Sequence, residues 1–166
     1  PSGTVTAKGK GAGFLARREE LDRFFDEVFS KVQIPVSVKT RLGIVDPEEF
    51  SPILEIYNRY PICCLTIHPR VQKEKYRGEI HFEQFAQALE TSPNPVCFNG
   101  DLRTVAEVHA FEERFPAVDR AMIGRGLVAD PALALRWRGQ TAAGTFAAFC
   151  DELSLAYLER FGSQKN

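Results

Sequence analysis

The sequence lacks a long hydrophobic run, a strong excess of charge of either sign, and any regular pattern of cysteines. No apolar stretch approaches the roughly 20 residues that a membrane-spanning helix needs, and no segment has the pattern of a signal peptide. The net charge of −1 excludes an overall attraction to nucleic acid or to membranes, so such a partner would need a local patch. The four cysteines form no Cys-x-x-Cys pair, which argues against a metal site and predicts free, mostly buried thiols in a reducing, cytoplasmic compartment.

The 166 residues, 44% of them hydrophobic and 26% charged, are enough for one domain with a core. Short apolar segments alternate with amphipathic ones, and residues 1–13 are predicted to form a flexible, glycine-rich loop. We predict strands at residues 34–38, 62–67, 95–98 and 118–123, and helices at 17–31, 46–59, 81–90, 104–115, from 130 onward and at 145–161. This order predicts an α/β fold of about four parallel βα units, because strands that are apolar throughout fit burial on both faces.

Every predicted strand ends in a polar or glycine-rich sequence. These endings are Lys39-Thr40-Arg41, His68-Pro69-Arg70, Asn99-Gly100-Asp101 and Gly124-Arg125-Gly126. A single ending of this kind is more often a solvated strand cap, but the carboxyl ends of parallel strands share one rim, where ligands bind. Four such endings at corresponding positions therefore favour a ligand site on that rim.

The last two endings are typical of a phosphate site. Gly100 and Gly124 let backbone N–H groups approach an anion closely, and Arg125 adds a charge-assisted contact. Asp101 would repel a phosphate, so we predict that it caps the following helix or holds the loop. Lys39 suits an anion deeper in the site, and the alternative for it is a solvent-exposed charge at the strand end.

Four segments stand out by their order and spacing. They are Val-Lys-Thr-Arg-Leu-Gly at 38–43, Leu-Thr-Ile-His-Pro-Arg at 65–70, Phe-Asn-Gly-Asp at 98–101 and Met-Ile-Gly-Arg-Gly at 122–126. Together with the Pro-Ser opening and the glycine-rich stretch at 8–13, they resemble the tRNA-dihydrouridine synthases. These are flavoenzymes with a (β/α)8 TIM barrel that reduce specific uridines in tRNA.

The resemblance implies a role for each matching residue. Lys39 and His68 would contact the flavin ring, where a cation stabilises the anionic reduced flavin. The residues that would bind the FMN phosphate are Asn99, Gly100, Asp101, Gly124 and Arg125. NADPH would reduce the flavin.

The resemblance also implies a general acid that these residues do not include. In the family, a cysteine directly before the Pro-Ser pair protonates uracil C5 while flavin N5 delivers hydride to C6. That position would precede Pro1, and Cys63 and Cys64 lie inside a predicted strand, where they cannot replace it. We therefore expect no catalytic residue within this sequence.

A complete barrel takes about 250 residues, so the resemblance implies that residues 1–140 are the carboxyl-terminal half of the barrel. Residues 141–166 would be the first helix of a helical, tRNA-binding domain. Half a barrel has open strand edges. The chain alone is therefore expected to be inactive, and to pair with the missing amino-terminal half or with a second copy.

The implied partner is tRNA, and the cations that would meet it are local. The candidates are Arg70, Lys73, Lys75 and Arg77 in one loop and Lys8 and Lys10 in another. Tyr76, among these cations, would stack on a base. Ordinary solvated loop charges are the alternative. The target uridine must leave its stack to reach a flavin in a barrel mouth, so base flipping is expected.

Two other functions remain open at this point. A phosphate-binding TIM-barrel isomerase, lyase or synthase would share the glycine loops without needing flavin or the pair of Lys39 and His68. A non-catalytic RNA-binding or assembly fragment would bind tRNA in a salt-dependent manner without flavin. Flavin absorbance separates the first alternative from a dihydrouridine synthase.

Overall fold

The computed structural model describes residues 3–141 and 144–162. Its helices are α1 (Gly3–Ala7), α2 (Arg18–Lys31), α3 (Phe50–Tyr57), α4 (Phe82–Thr91), α5 (Val105–Arg114), α6 (Arg125–Ala129), α7 (Leu133–Trp137) and α8 (Phe146–Phe161). The strands are β1 (Ser37–Arg41), β2 (Cys64–His68) and β3 (Val96–Phe98), and 3₁₀ turns lie at Gly11–Ala16 and Pro47–Glu49. The Pro-Ser pair of the resemblance and the last residues, 163–166, lie outside the described residues.

The three strands form one parallel sheet in the order β1-β2-β3. Lys39 and Arg41 of β1 lie opposite Thr66 and His68 of β2, and Thr66 in turn lies opposite Cys97 of β3. Helix α3 connects β1 to β2 and α4 connects β2 to β3, as parallel pairing requires. The prediction of a parallel α/β arrangement is therefore confirmed.

The fourth predicted strand, at residues 118–123, is wrong in extent. Only Ala121 pairs with the sheet, through a single parallel bridge to Phe98. The Phe98 N–H donates to Arg120 O at 3.1 Å, and the Met122 N–H donates to Phe98 O at 2.7 Å. The pairing ends there because exposed polar residues, Asp119 and Arg120, interrupt the apolar pattern that β2 and β3 keep.

Strand β1 occupies residues 37–41 and not the predicted 34–38. Pro35 has no N–H to donate to a neighbouring strand, and Ile34 is 72% exposed, so pairing would stabilise little before Val36. As a result, Lys39 lies within the strand and not beyond its end. The predicted helix start at Asp46 and Pro47 is confirmed, with a capping box between Asp46 and Glu49.

The predicted flexible loop at residues 1–13 is wrong for its described part, which contains α1 and the start of a 3₁₀ turn. Gly9 ends α1 with a φ of +67°. Its N–H donates to Thr6 O at 2.9 Å, and the Lys10 N–H donates to Val5 O at 3.1 Å. These two bonds are those of a Schellman motif, which fixes the turn after a helix.

The sheet has one apolar face, covered by helices, and one polar face. Thr40 Oγ1 lies 2.9 Å from the hydroxyl of Tyr57 in α3, which places Thr40 on the helix side. Since side chains alternate along a strand, Lys39 and Arg41 point to the opposite face. The buried core on the helix side comprises Phe50, Ile53, Leu54, Leu65, Ile67, Phe85, Ala88 and Phe98.

The chain divides into two compact units, residues 1–100 with 115–122, and residues 101–114 with 123–166. In the second unit, α5 packs on α7, and the buried hydrophobic side chains include Leu102, Val108, Phe111 and Leu133. Helix α5 begins with a reciprocal cap, because the Glu107 N–H donates to Thr104 Oγ1 at 3.2 Å and the Thr104 N–H donates to Glu107 Oε2 at 2.9 Å. The domain boundary predicted between residues 140 and 141 stays a prediction.

Helix α8 confirms the last predicted helix and is capped by Thr145, whose hydroxyl accepts from the Ala148 N–H at 3.2 Å. Large apolar side chains along it are exposed, among them Phe149, Leu153 and Phe161. Within residues 3–141 and 144–162, no helix is both long and apolar enough to cross a bilayer. All four cysteines fall in these ranges and are free thiols, as predicted, but the expected burial is wrong for three of them, because only Cys97 is buried.

Candidate functional site at the strand ends

The polar face of the sheet carries a compact group of reactive side chains near the carboxyl ends of the strands. Lys39, Thr66 and Cys97 form one row across the three strands, and Arg41 and His68 form the next row. The sequence predicted Lys39 and His68 at strand ends, and the register now places them on the same face of neighbouring strands. Titratable groups that converge in this way are a common feature of binding sites.

Lys39 is exposed on this face. Its pKa lies below the ordinary lysine value, first because the surrounding protein desolvates the ammonium and second because Arg41 brings a like charge close. Both effects disfavour the positive charge, so an anionic group placed beside Lys39 would offset them. The environment is therefore suited to a bound anion.

His68 ends β2 and is only 6% exposed. Its Nε2 lies 3.4 Å from Nη1 of Arg70, and its ring lies nearly parallel to that of Tyr76, with the centroids 6.1 Å apart. Arg70 is itself 4% exposed, and its Nε donates to Gly78 O at 2.6 Å. The sequence placed Arg70 on the RNA side, but this burial favours a role in shaping the loop over a direct contact with a phosphate.

The Arg41 side chain stabilises the loop between β2 and α4 through two hydrogen bonds to carbonyl groups of the loop. Its Nη1 donates to Val71 O at 2.9 Å and its Nη2 donates to Lys75 O at 2.6 Å. The guanidinium also lies 5.5 Å from the centre of the Tyr76 ring. Burial lowers the pKa of Arg41, while Tyr76 and Glu74 act in the opposite direction. Arg41 therefore fixes the path of the loop.

The carboxylate of Glu74, a residue of the same loop, also stabilises it. Glu74 Oε2 accepts from the Val71 N–H at 2.7 Å, and Glu74 Oε1 lies 2.8 Å from Nε2 of His81. Nothing in the sequence indicated Glu74 or His81 in this site, and Arg41 was included in a strand ending without an assigned role. The only available signal was the spacing of two between Lys39 and Arg41, which puts both on one face of a strand.

The cations that this loop presents to solvent are Lys73, Lys75 and Arg77, which are all exposed. Tyr76 is 49% exposed. Lys75 has a φ of +55°, a conformation that residues other than glycine rarely adopt. The loop thus combines a buried, hydrogen-bonded inner side with a basic outer side.

The residues predicted to bind a phosphate are divided between the two units. In the first, the Asn99 side-chain N–H donates to Met122 O at 2.7 Å. A Cβ at Gly100 would lie 2.2 Å from the Phe98 ring. Packing against Phe98 is therefore sufficient to explain the glycine at this position.

In the second unit, Arg125 donates to the carboxylate of Asp101, and Arg103 Nη2 lies 3.6 Å from the same oxygen. Asp101 thus holds the loop, one of the two roles predicted for it, while the cap of α5 comes from other residues. Gly124 has open space where a Cβ would be, whereas a Cβ at Gly126 would lie 2.3 Å from Leu102 O. The roles of these residues toward a phosphate stay predictions.

Comparisons with known proteins cover most of the chain. The family model described as "Dihydrouridine synthase (Dus)" matches residues 1–156. A tRNA-dihydrouridine(16) synthase of Ralstonia nicotianae is 35% identical over 144 residues, which cover 86% of this chain and 44% of the relative. The corresponding protein of Cupriavidus necator is 35% identical, with 84% and 44% covered. A probable tRNA-dihydrouridine synthase of Staphylococcus epidermidis is 32% identical over 137 residues, with 79% and 41% covered. The chain spans less than half the length of these relatives.

Proposed function

Since the chain belongs to the dihydrouridine synthase family, we propose that the protein it forms part of reduces uridine to 5,6-dihydrouridine in tRNA, with FMN as cofactor and NAD(P)H as reductant. The observation that carries this proposal is the polar sheet face, where Lys39 and His68 occupy adjacent rows beside Arg41. A positively charged surface at the carboxyl ends of parallel strands is suited to an anionic, planar cofactor.

We propose that the complete protein contains a (β/α)8 barrel and that residues 1–140 form its carboxyl-terminal half. The parallel β1-β2-β3 sheet supports it, as does the bridge at Ala121, which lies where a fourth strand would add. We assign residues 141–166 to the first helix of a tRNA-binding helical domain, because α8 leaves apolar side chains exposed for further helices. The amino-terminal half of the barrel would pair with the free edge of β1.

The residues present fit FMN. Lys39 and Arg41 place two cations on the same face of β1, and an anion beside them would offset their repulsion, as the negative charge at the N1–O2 edge of reduced flavin would do. When bound, FMN would supply the hydride for uracil C6. Lys39 would orient the flavin ring and stabilise its negative charge. His68 would lie near the ring at the same edge of the sheet.

We assign the FMN phosphate to the residues implied by the resemblance, which are Asn99, Gly100, Asp101, Gly124 and Arg125. Open space around Gly124 and the half-exposed guanidinium of Arg125 support this assignment. The proton for uracil C5 would come from a cysteine outside these residues.

The exposed Lys73, Lys75 and Arg77 would contact the phosphate backbone of tRNA. The half-exposed Tyr76 beside them would stack on a base. Its position over His68 connects the RNA side of the loop with the polar sheet face.

The test uses the complete protein, an unmodified tRNA transcript and NADPH, with dihydrouridine measured by mass spectrometry. Bound flavin and dihydrouridine formation are the expected results. A colourless protein that binds phosphate would support the isomerase or lyase alternative, and salt-dependent tRNA binding without flavin would support the RNA-binding alternative.

Two matched pairs of variants test the assigned residues. Lys39→Ala should slow single-turnover reduction of uridine, whereas Lys31→Ala, at an exposed lysine paired with Glu27 on α2, should not. Arg125→Ala should lose FMN during dialysis, whereas Arg103→Ala, at an arginine between β3 and α5 that also pairs with Asp101, should retain it. Equal rates or equal flavin retention within a pair would remove that residue from the proposed site.

A further inference from the structure

The helix-ending turn at residues 8–10 lies beside the basic loop, although 60 residues separate them in sequence. Gln72 Nε2 donates to Thr6 Oγ1 at 3.3 Å, which joins α1 to the loop between β2 and α4. Lys8 follows Thr6 by two residues, and Lys73 follows Gln72 directly. The sequence predicted two separate basic segments, and the structure brings them together.

The conformation of the turn is fixed by its own hydrogen bonds. The Schellman motif at Gly9 holds Lys8 and Lys10 on either side of the glycine, and both lysines are exposed. The turn also packs closely on the next segment, because a Cβ at Gly13 would lie 2.4 Å from Thr6 O. The two cations therefore have defined positions in the folded chain.

No carboxylate neutralises these cations within the part of the chain that the structure describes. Salt bridges are formed there by other lysines and arginines, such as Lys31 with Glu27. The loop also contains two acidic residues: Glu74 is engaged by the Val71 N–H and by His81, and the exposed Glu79 forms no salt bridge with these cations within the described residues. The surface around the turn and the loop is therefore locally positive, although the net charge of the protein is −1. The contributing residues are Lys8, Lys10, Lys73, Lys75 and Arg77.

We infer that these five cations form one continuous surface for the phosphate backbone of RNA, in which the turn supplies Lys8 and Lys10 as additional contacts. The inference rests on the proposed function for the choice of tRNA as the RNA. A polyanion with regularly spaced charges relieves the repulsion among cations, and each phosphate contact releases counterions. The hydrogen bond from Gln72 to Thr6 keeps the two halves of the surface in register.

The experiment measures binding of an unmodified tRNA transcript to the complete protein over a series of salt concentrations. Lys8→Gln combined with Lys10→Gln should reduce the slope of log K against log salt by about 1.4 to 1.8, since each lost contact removes roughly 0.7 to 0.9. The control combines Lys31→Gln with Arg23→Gln on α2, which removes the same charge from exposed positions and should leave the slope unchanged. Circular dichroism verifies that each variant is folded.

A further variant tests the connection itself. Thr6→Val removes the hydroxyl acceptor but no charge, and in this background the loss of Lys8 and Lys10 should change the slope less than in the wild type. An unchanged slope for the Lys8 and Lys10 variant overturns the inference, as does binding to poly-glutamate but not to RNA. If the wild-type protein shows the expected salt dependence of RNA binding but forms no dihydrouridine, the result would contradict the proposed function and still support the RNA-binding surface.

Discussion

Replacing Arg41 should release the loop between β2 and α4 while leaving the sheet intact. Arg41→Met keeps the aliphatic volume but leaves Val71 O and Lys75 O without their donors. Hydrogen bonds to a charged group contribute about 1.5 to 3 kcal/mol each, and the contact with the Tyr76 ring adds about 0.5 to 1 kcal/mol. The desolvation that lowers the pKa of Arg41 offsets part of this sum. We expect the loop to lose about 3 kcal/mol.

Native-state hydrogen exchange measures this loss directly. The Gln72 and Lys73 N–H groups donate to Gly43 O at 2.9 Å and to Ile44 O at 3.0 Å. Their exchange should accelerate by about 100-fold in Arg41→Met, because each 1.4 kcal/mol is a factor of about ten. Amides in α3 should be unaffected. Unchanged exchange at Gln72 and Lys73, or equal acceleration throughout α3, would refute the assignment of Arg41 to the loop.

Arg41→Lys separates the charge of Arg41 from its geometry. A lysine keeps the positive charge but cannot donate to two carbonyl groups with a planar fork. The loop amides should therefore exchange faster, while the pKa of Lys39 stays lowered by desolvation and by the neighbouring charge. In Arg41→Met only the desolvation remains, so the pKa of Lys39 should rise above its wild-type value and stay below the ordinary one. Nitrogen NMR of the Lys39 ammonium measures both variants.

Three further substitutions test the scaffold by urea denaturation. Burial alone would raise the pKa of Glu49, but three backbone N–H donors lower it. Glu49→Gln should therefore cost about 1 kcal/mol at neutral pH, and the difference should vanish as the pH falls below 4.5. Burial raises the pKa of Tyr57 to about 12, so its contribution is lost as the pH rises from 10 to 12. Tyr57→Phe should lower stability by about 1 kcal/mol and weaken that alkaline loss. Gly126→Ala should cost about 1 to 3 kcal/mol because its Cβ meets Leu102 O.

Each of these has an outcome that would contradict it. Gly124→Ala is the control for Gly126→Ala, because nothing lies within 4 Å of its Cβ position, and equal losses would exclude the steric explanation. A constant difference between Glu49→Gln and wild type across acidic pH would show that the charge of Glu49 is not involved. An alkaline transition that is the same in Tyr57→Phe would exclude Tyr57 as its source.

Hydrophobic spacing predicted helices α2 to α5 and α8 and the parallel arrangement of the strands, but it did not predict the short helices α1 and α6. It placed β1 too early because Val36 and Ile34 look alike as apolar residues, and only pairing distinguishes them. It predicted a full fourth strand from Val118 and Ile123, although the polar residues between them allow a single bridge. The local sequence therefore predicts which helices and strands form better than it predicts the residues at which they begin and end.

The site was predictable only in part. Lys39 and His68 carried a signal, because each follows an apolar run in a recognisable motif. The burial of Arg41 and Arg70 carried none, since their partners are carbonyl oxygens whose positions depend on how the loop folds back. Gly100 had the right residue type for a phosphate loop, but its contact with Phe98 also explains it.

The backbone and the side chain of Lys75 have separate roles, so selection can act on each of them. Its carbonyl faces inward to Arg41, its side chain is exposed, and its backbone has a positive φ. Glycine or asparagine would adopt that conformation at lower cost and keep the inward contact. A lineage that retained only the fold would be free to drift to those residues. Retention of lysine there would mark descendants that still depend on the outward charge.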